Sequence, residues 1–111
     1  MPKETDILQG TLDVLILKSL ALGPMHGFGV SLRIQLLSRD VLQVLQGSLY
    51  PALHRLEHQG LIQSEWGTSD NNRRAKFYSL TRAGHGRLKS ELADWRRVTQ
   101  AVGWVLAADH V

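Results

Sequence analysis

The residues with the clearest chemical potential lie between His54 and Leu80. His54-Arg55-Leu56-Glu57-His58 matches H-x-x-E-H, in which histidines four apart share a helix face and hold a catalytic zinc. That chemistry needs a third ligand and a cleft, and the chain offers no obvious source of either, so surface histidines on a helix are the simpler reading. Gly27-Phe28-Gly29 opens like a dinucleotide fingerprint, but Leu32 stands where the third glycine belongs and no strand is expected before it. His26 reads as a helix-start residue. Cysteine is absent, which excludes disulfides, thiolate zinc sites and cysteine nucleophiles. No Ser/His/Asp arrangement stands out, so no catalytic residue, metal site or cofactor is expected.

Charge distribution is more informative. The net charge is only +3. Between Asn71 and Ser90, however, stand Arg73, Arg74, Lys76, Arg82, Arg87 and Lys89, without one acid. Acids lie elsewhere, among them Glu4, Asp6, Asp13, Glu91 and Asp94. A basic segment in a nearly balanced chain suits a local anionic partner, nucleic acid being the commonest; a solvated basic hairpin is the alternative. At 111 residues, 43% apolar and 21% charged, the chain suits one ordered domain. The apolar run Leu12–Leu22 contains Asp13, Lys18 and Ser19 and is too short to span a bilayer. No leader pattern precedes it, so a cytoplasmic location without membrane contact is expected.

These residues need elements to position them. Apolar spacing predicts a first helix over Ile7–Leu22, covered on more than one side and stopped by Gly23-Pro24. A second runs from about Gly27 to Arg39, with Phe28, Leu32 and Leu36 on one side and Arg33 and Gln35 on the other. Asp40–Gln46 is a connector with extended character. Ser48 is the expected N-cap of a third helix through Gln59, with Pro51 in its first turn and Gly60 as its stop. Its buried stripe is Leu49, Leu53 and Leu56, which leaves positions 48, 51, 52 and 55 outward and Tyr50 at the edge. Strands over Leu61–Trp66 and Ala75–Leu80 flank the turn-rich loop Gly67–Asn72. Thr81 caps a last helix to about Ala108, whose Leu88, Leu92, Trp95, Thr99, Val102 and Leu106 recur at heptad-like intervals. Three helices, a hairpin and a long helix make a mainly α fold with a small β-hairpin: a winged helix-turn-helix over 1–81 and a C-terminal dimerisation helix over 82–111 of the same compact unit.

The block Gly47-Ser48-Leu49-Tyr50-Pro51-Ala52-Leu53-His54-Arg55-Leu56-Glu57 resembles the PadR family of bacterial transcriptional regulators. So do Met25-His26-Gly27-Phe28-Gly29, Gly60-Leu61-Ile62 and Arg73-Arg74-Ala75-Lys76-Phe77-Tyr78-Ser79-Leu80-Thr81. Phe28 and Phe77 stand where that family often has tyrosine. The length is similar to the subgroup with a single C-terminal helix. The resemblance implies a homodimeric repressor on palindromic double-stranded DNA, released by an effector or stress signal. A regulator of the marR or arsR type shares the wing but not the Ser-Leu-Tyr-Pro block, and an effector-binding or adaptor dimer without specific DNA recognition is the rival from another class.

On this reading Ser48, Tyr50, Pro51 and Arg55 face DNA from the third helix. Serine and tyrosine hydroxyls suit phosphates, and arginine suits a guanine edge or a phosphate. A half-buried packing ring is the other role open to Tyr50. Arg73, Arg74 and Lys76 of the wing straddle phosphates or enter a minor groove. Trp95 is the candidate lining of an effector pocket for a small molecule, against a plain packing role in the helix seam.

Overall fold

The computed structural model describes residues 9–111; Ile7 and Leu8, expected in the first helix, lie outside them. The chain runs α1 (Gln9–Ala21), β1 (Met25–His26), α2 (Gly27–Leu37), α3 (Gln46–His58), β2 (Ile62–Thr68), β3 (Arg74–Leu80) and α4 (Arg82–Ala107). The strands form an antiparallel sheet in the order β1-β3-β2, with Ile62 opposite Leu80 and Thr68 opposite Arg74. The expected mainly α architecture with a small hairpin is therefore present. The hairpin also gains a third strand, directly before Gly27 where none was expected: Met25 pairs with Tyr78 and His26 with Phe77. Two residues are too short to leave a period in sequence.

One core joins the elements. Leu12, Ile16, Leu17 and Leu20 of α1 meet Val30 and Ile34 of α2 and Leu49, Leu53 and Leu56 of α3, with Ile62, Tyr78 and Leu88 closing the far side. Each large aliphatic buried there contributes about 1.5–3 kcal/mol of transfer free energy. As expected, α1 is covered on more than one side. Its C-terminal end is held by Arg33, whose Nη1 donates to the carbonyls of Ser19 at 2.7 Å and Gly23 at 2.8 Å. A cation on carbonyls at the helix end complements the helix dipole and fixes α1 against α2.

Two expectations need correction. The buried side of α2 is Val30 and Ile34, whereas Phe28, Leu32 and Leu36 face outward. Both sides carry large aliphatics, so spacing alone does not choose between them. Helix α3 begins at Gln46, with Leu45 as an N-cap that makes no side-chain bond. Ser48 is therefore inside the first turn and Pro51 in the second, where it deletes the N–H that would reach the Gly47 carbonyl.

The α3 C-terminus is as expected. Gly60 takes a left-handed φ of 76°, and Leu61 N bonds Leu56 O at 3.0 Å while Gly60 N bonds Glu57 O at 2.9 Å. This paired closure suits glycine. Thr81 then gathers the chain. Its N–H donates to Leu61 O at 3.1 Å, its hydroxyl donates to Gly60 O at 2.6 Å, and the same oxygen accepts from Gly84 N at 3.0 Å. Gly84 packs so tightly on the Leu61 carbonyl that an added Cβ would strike it, whereas at Gly86 a Cβ meets open space.

Gly84→Ala should therefore destabilise the protein by about 1–3 kcal/mol, while Gly86→Ala should be neutral or stabilising by up to about 1 kcal/mol. Urea unfolding followed by circular dichroism separates the two; equal effects would contradict the close approach.

Candidate nucleic-acid interface

Helix α3 shows an uneven edge to solvent. Pro51, His54 and His58 are exposed, and Ser48 and Tyr50 are half-buried. Ala52, expected outward, is 1% exposed and belongs to the core. The Tyr50 ring lies over the start of α2, where a Cβ on Gly27 would come within 2.8 Å of its edge. Tyr50 thus packs α3 onto α2 and still shows part of its surface.

Arg55 is not the open reading head that the helical wheel suggested. It is half-buried, and its Nη2 makes a 2.6 Å ion pair with Asp13 Oδ1 of α1. A partner so far away in sequence leaves no local signal. The pair is about a quarter exposed on each side, enough to keep the charged forms hydrated while joining α3 to α1.

Glu57, on the opposite side of the last turns of α3, links the helix to the wing. It accepts a 2.5 Å hydrogen bond from the Ser64 hydroxyl of β2 and lies 3.7 Å from Lys76 Nζ of β3. Lys76 also lies over the ring of Tyr78. Burial, then the negative charge of Glu57 and the neighbouring Tyr50, push the Tyr78 phenol above its ordinary value and keep it protonated. Lys76 is consequently a brace within the wing more than a projecting charge.

The two arginines differ. The β2–β3 loop closes through Ser69 N to Arg73 O and Asn72 N to Ser69 O, each 2.8 Å, with Asn72 in the left-handed region at φ 59°. This tight turn leaves Arg73 exposed at the hairpin end, and its guanidinium has no side-chain partner among the described residues. Arg74 is also exposed, its guanidinium stacked 4.6 Å from the centre of the Trp66 ring. Stacking holds the cation in place without neutralising it.

A cleft of about 650 Å³ separates this wing from α2 and α3, with Phe28, Leu32 and Tyr50 on one wall and Arg73 and Arg74 on the other. Sequence reasoning read His54 as a surface histidine but did not offer it as a contact residue, and it missed Phe28 and Leu32 as cleft walls. The four-residue spacing of Phe28 and Leu32 was visible, but their direction was not. His26 starts α2 as expected: its Nδ1 accepts from Gly29 N at 3.0 Å, and its ring meets Phe77 edge-on. Among the described residues no group of three His, Cys, Asp or Glu side chains could hold a metal ion, and the zinc-peptidase pattern loses its glutamate to Ser64 and Lys76.

The α4 seam divides in two. Leu88 is buried and Leu92 half-buried on the protein's own core. Trp95, Val98 and Val102 are each about half exposed, and Val105 and Leu106 more so. Thr99, the polar member, returns its hydroxyl to the Trp95 carbonyl at 2.9 Å. None of the described helices is long and apolar enough to cross a membrane.

Comparison with known proteins gives this geometry its context. Residues 16–90 match the sequence profile of the transcriptional regulator PadR-like family. A transcriptional regulator of Mycobacterium tuberculosis is 40% identical over 76 residues, covering 68% of this chain and 67% of that protein. Among solved structures, a transcriptional regulator from Clostridium thermocellum superposes with a TM-score of 0.79 at 26% identity, over 88% of this chain and 95% of that one. A PadR-like transcriptional regulator from Bacillus cereus gives 0.79 at 25% identity, over 93% and 98%. With the profile spanning α1 to the start of α4, the chain belongs to the PadR-like family of transcriptional regulators.

Proposed function

We propose that this regulator is a repressor that binds palindromic double-stranded DNA as a homodimer. The observation that carries the reading is the exposed edge of α3, Pro51 and His54, near a wing that presents Arg73 and Arg74 at the start of the acid-free stretch 71–90, with Asp70 as the acid of the same loop. In this arrangement α3 enters the major groove from its N-terminal half, with Ser48, Tyr50 and Pro51 against the backbone and bases. Arg73 and Arg74 take flanking phosphates, and Lys76 keeps the wing at its angle while adding positive potential. Arg55 reaches DNA by exchanging Asp13 for a guanine edge or a phosphate, a step that sets the reading geometry against the α1–α3 link.

Dimerisation uses the outer part of α4. Trp95, Thr99, Val102 and Leu106, continuous with Leu88 and Leu92, form an apolar stripe that a second copy of the helix would cover. Residues 1–81 then act as the DNA-reading part and 82–111 as the coupling helix of one unit. Trp95 on that stripe is the residue best placed to meet a small effector held between the two copies.

The engagement of Arg55 and Lys76 by carboxylates favours one competing reading, a dimer that has lost specific DNA recognition. Selection of genomic fragments on the purified protein at near-physiological salt separates the two. A short inverted repeat is expected; uniform recovery of all DNA, lost steeply as salt rises, would establish the competing reading.

On the selected site, Arg73→Ala and Arg74→Ala should each lower the slope of log affinity against log salt by about one unit in fluorescence anisotropy. Unchanged slopes would remove both from the interface. Arg55→Ala should weaken the selected site by about 1–3 kcal/mol while binding to random DNA changes less. A loss of thermal stability with equal affinity would instead assign Arg55 to the α1 link alone. Trp95→Glu should sediment as a monomer, and a wild-type protein already monomeric at micromolar concentration would refute the α4 interface.

A further inference from the structure

Away from the α3 edge, the wing and the α4 stripe, α1, α2 and the connector after α2 enclose a cleft of about 320 Å³. Its walls are aliphatic, from Leu15 of α1, Ile34 and Leu37 of α2 and Leu42 of the connector. No aromatic side chain lines it. Lys18, exposed on α1, stands at its border, and Ser19 forms part of the same wall. Ser19 is 1% exposed, and its Oγ has no hydrogen-bond partner among the described residues. A buried hydroxyl without a partner is costly, and native proteins retain few of them. Here the orphan hydroxyl adjoins the apolar cleft and is next in sequence to a lysine.

We propose that this cleft binds a small aliphatic carboxylate. Its headgroup faces the Lys18 ammonium and accepts from Ser19 once rotation of that buried side chain brings the hydroxyl to the cleft surface, and its chain lies over Ile34, Leu37 and Leu42. The volume is in the range of small-molecule sites, the walls suit a hydrocarbon without a ring to stack, and both polar groups on α1 suit an anion. The site also touches the element that leads into α3. The connector turns through two successive left-handed residues, Arg39 at φ 55° and Asp40 at φ 65°, and is held by Leu42 N donating to the Ser38 hydroxyl at 3.0 Å. Left-handed non-glycine residues carry strain that neighbouring contacts must hold. A chain pressed against Leu42 therefore changes the approach to Gln46, where α3 begins. Any effect on operator binding rests on the DNA-binding reading above; binding itself does not.

The test uses octanoate as probe and the DNA-free protein, followed by methyl and amide NMR. The expected result is a saturable shift of the Leu15, Ile34, Leu37 and Leu42 methyls, with amide shifts at 46–49. Lys18→Gln should weaken octanoate about two- to fivefold while leaving octanol unchanged. Ser19→Ala should raise the melting temperature of the free protein and weaken octanoate. Leu37→Trp, at a rim position that is 60% exposed, should fill the cleft and abolish binding without unfolding the chain. Shifts confined to Val98, Val102 and Val105 would place octanoate on α4 and overturn the proposal. Unsaturable shifts, equal octanoate affinity in Lys18→Gln and Ser19→Ala, or cleft methyls that move with protein concentration alone would also overturn it. The last outcome would mean that a second copy occupies the cleft. Because no DNA is present, failure here leaves the operator experiment untouched, and the reverse also holds.

Discussion

The arrangement of the molecule depends on the close meeting of Thr81, Gly84 and the Gly60–Leu61 corner. Four elements change direction there: α3 ends, β2 begins, β3 ends and α4 begins. One threonine hydroxyl serves both as donor to the α3 corner and as cap of α4, so both helix ends are satisfied by a single side chain. Gly84 lets α4 approach near enough for this to happen. The angle between α3 and α4 is therefore set by hydrogen bonds of fixed length, and apolar packing alone would hold it less tightly.

A second layer of control is electrostatic. Helix α3 carries Arg55 on one flank and Glu57 on another, and each is tied to a different neighbour: α1 through Asp13, and the hairpin through Ser64 and Lys76. These charges act first as struts. Of the four cations offered for DNA contact, the tip arginine and the stacked arginine remain projecting beside the exposed α3 edge, while Arg55 and Lys76 are engaged. An interface built this way is pre-organised, because its supporting side chains lose little further freedom on binding.

Much of the fold was legible because its signals are local. Gly60, Thr81 and the turn-rich hairpin loop are backbone requirements written into residue type. The stripe of Leu49, Leu53 and Leu56 has a polar opposite side, so its direction was readable. Helix α2 has no such contrast, and its exposed Phe28, Leu32 and Leu36 look as apolar as the buried Val30 and Ile34. The start of α3 misled for a related reason: Leu45 enters the helix without a side-chain cap, while Ser48 has the right chemistry at the wrong position. At the candidate interface, residue types were readable and occupancy was not. Whether a lysine or arginine projects or braces depends on partners such as Asp13 and Glu57, which only the fold brings near. The residues offered for DNA contact thus separated into projecting and bracing groups that no spacing rule distinguishes.

The corner at Thr81 and Gly84 also imposes an order of events during synthesis. Helices α1 to α3 and the hairpin leave the ribosome before the residue that locks them together. A nascent chain can gather its aliphatic core early, as N-terminal segments do, yet α3 and the hairpin acquire their fixed angle only once α4 has begun. The outer turns of α4 emerge last. The exposed apolar face of α4 is therefore presented only by chains in which α3 and the hairpin already hold their fixed angle, and a product truncated before Thr81 lacks the lock.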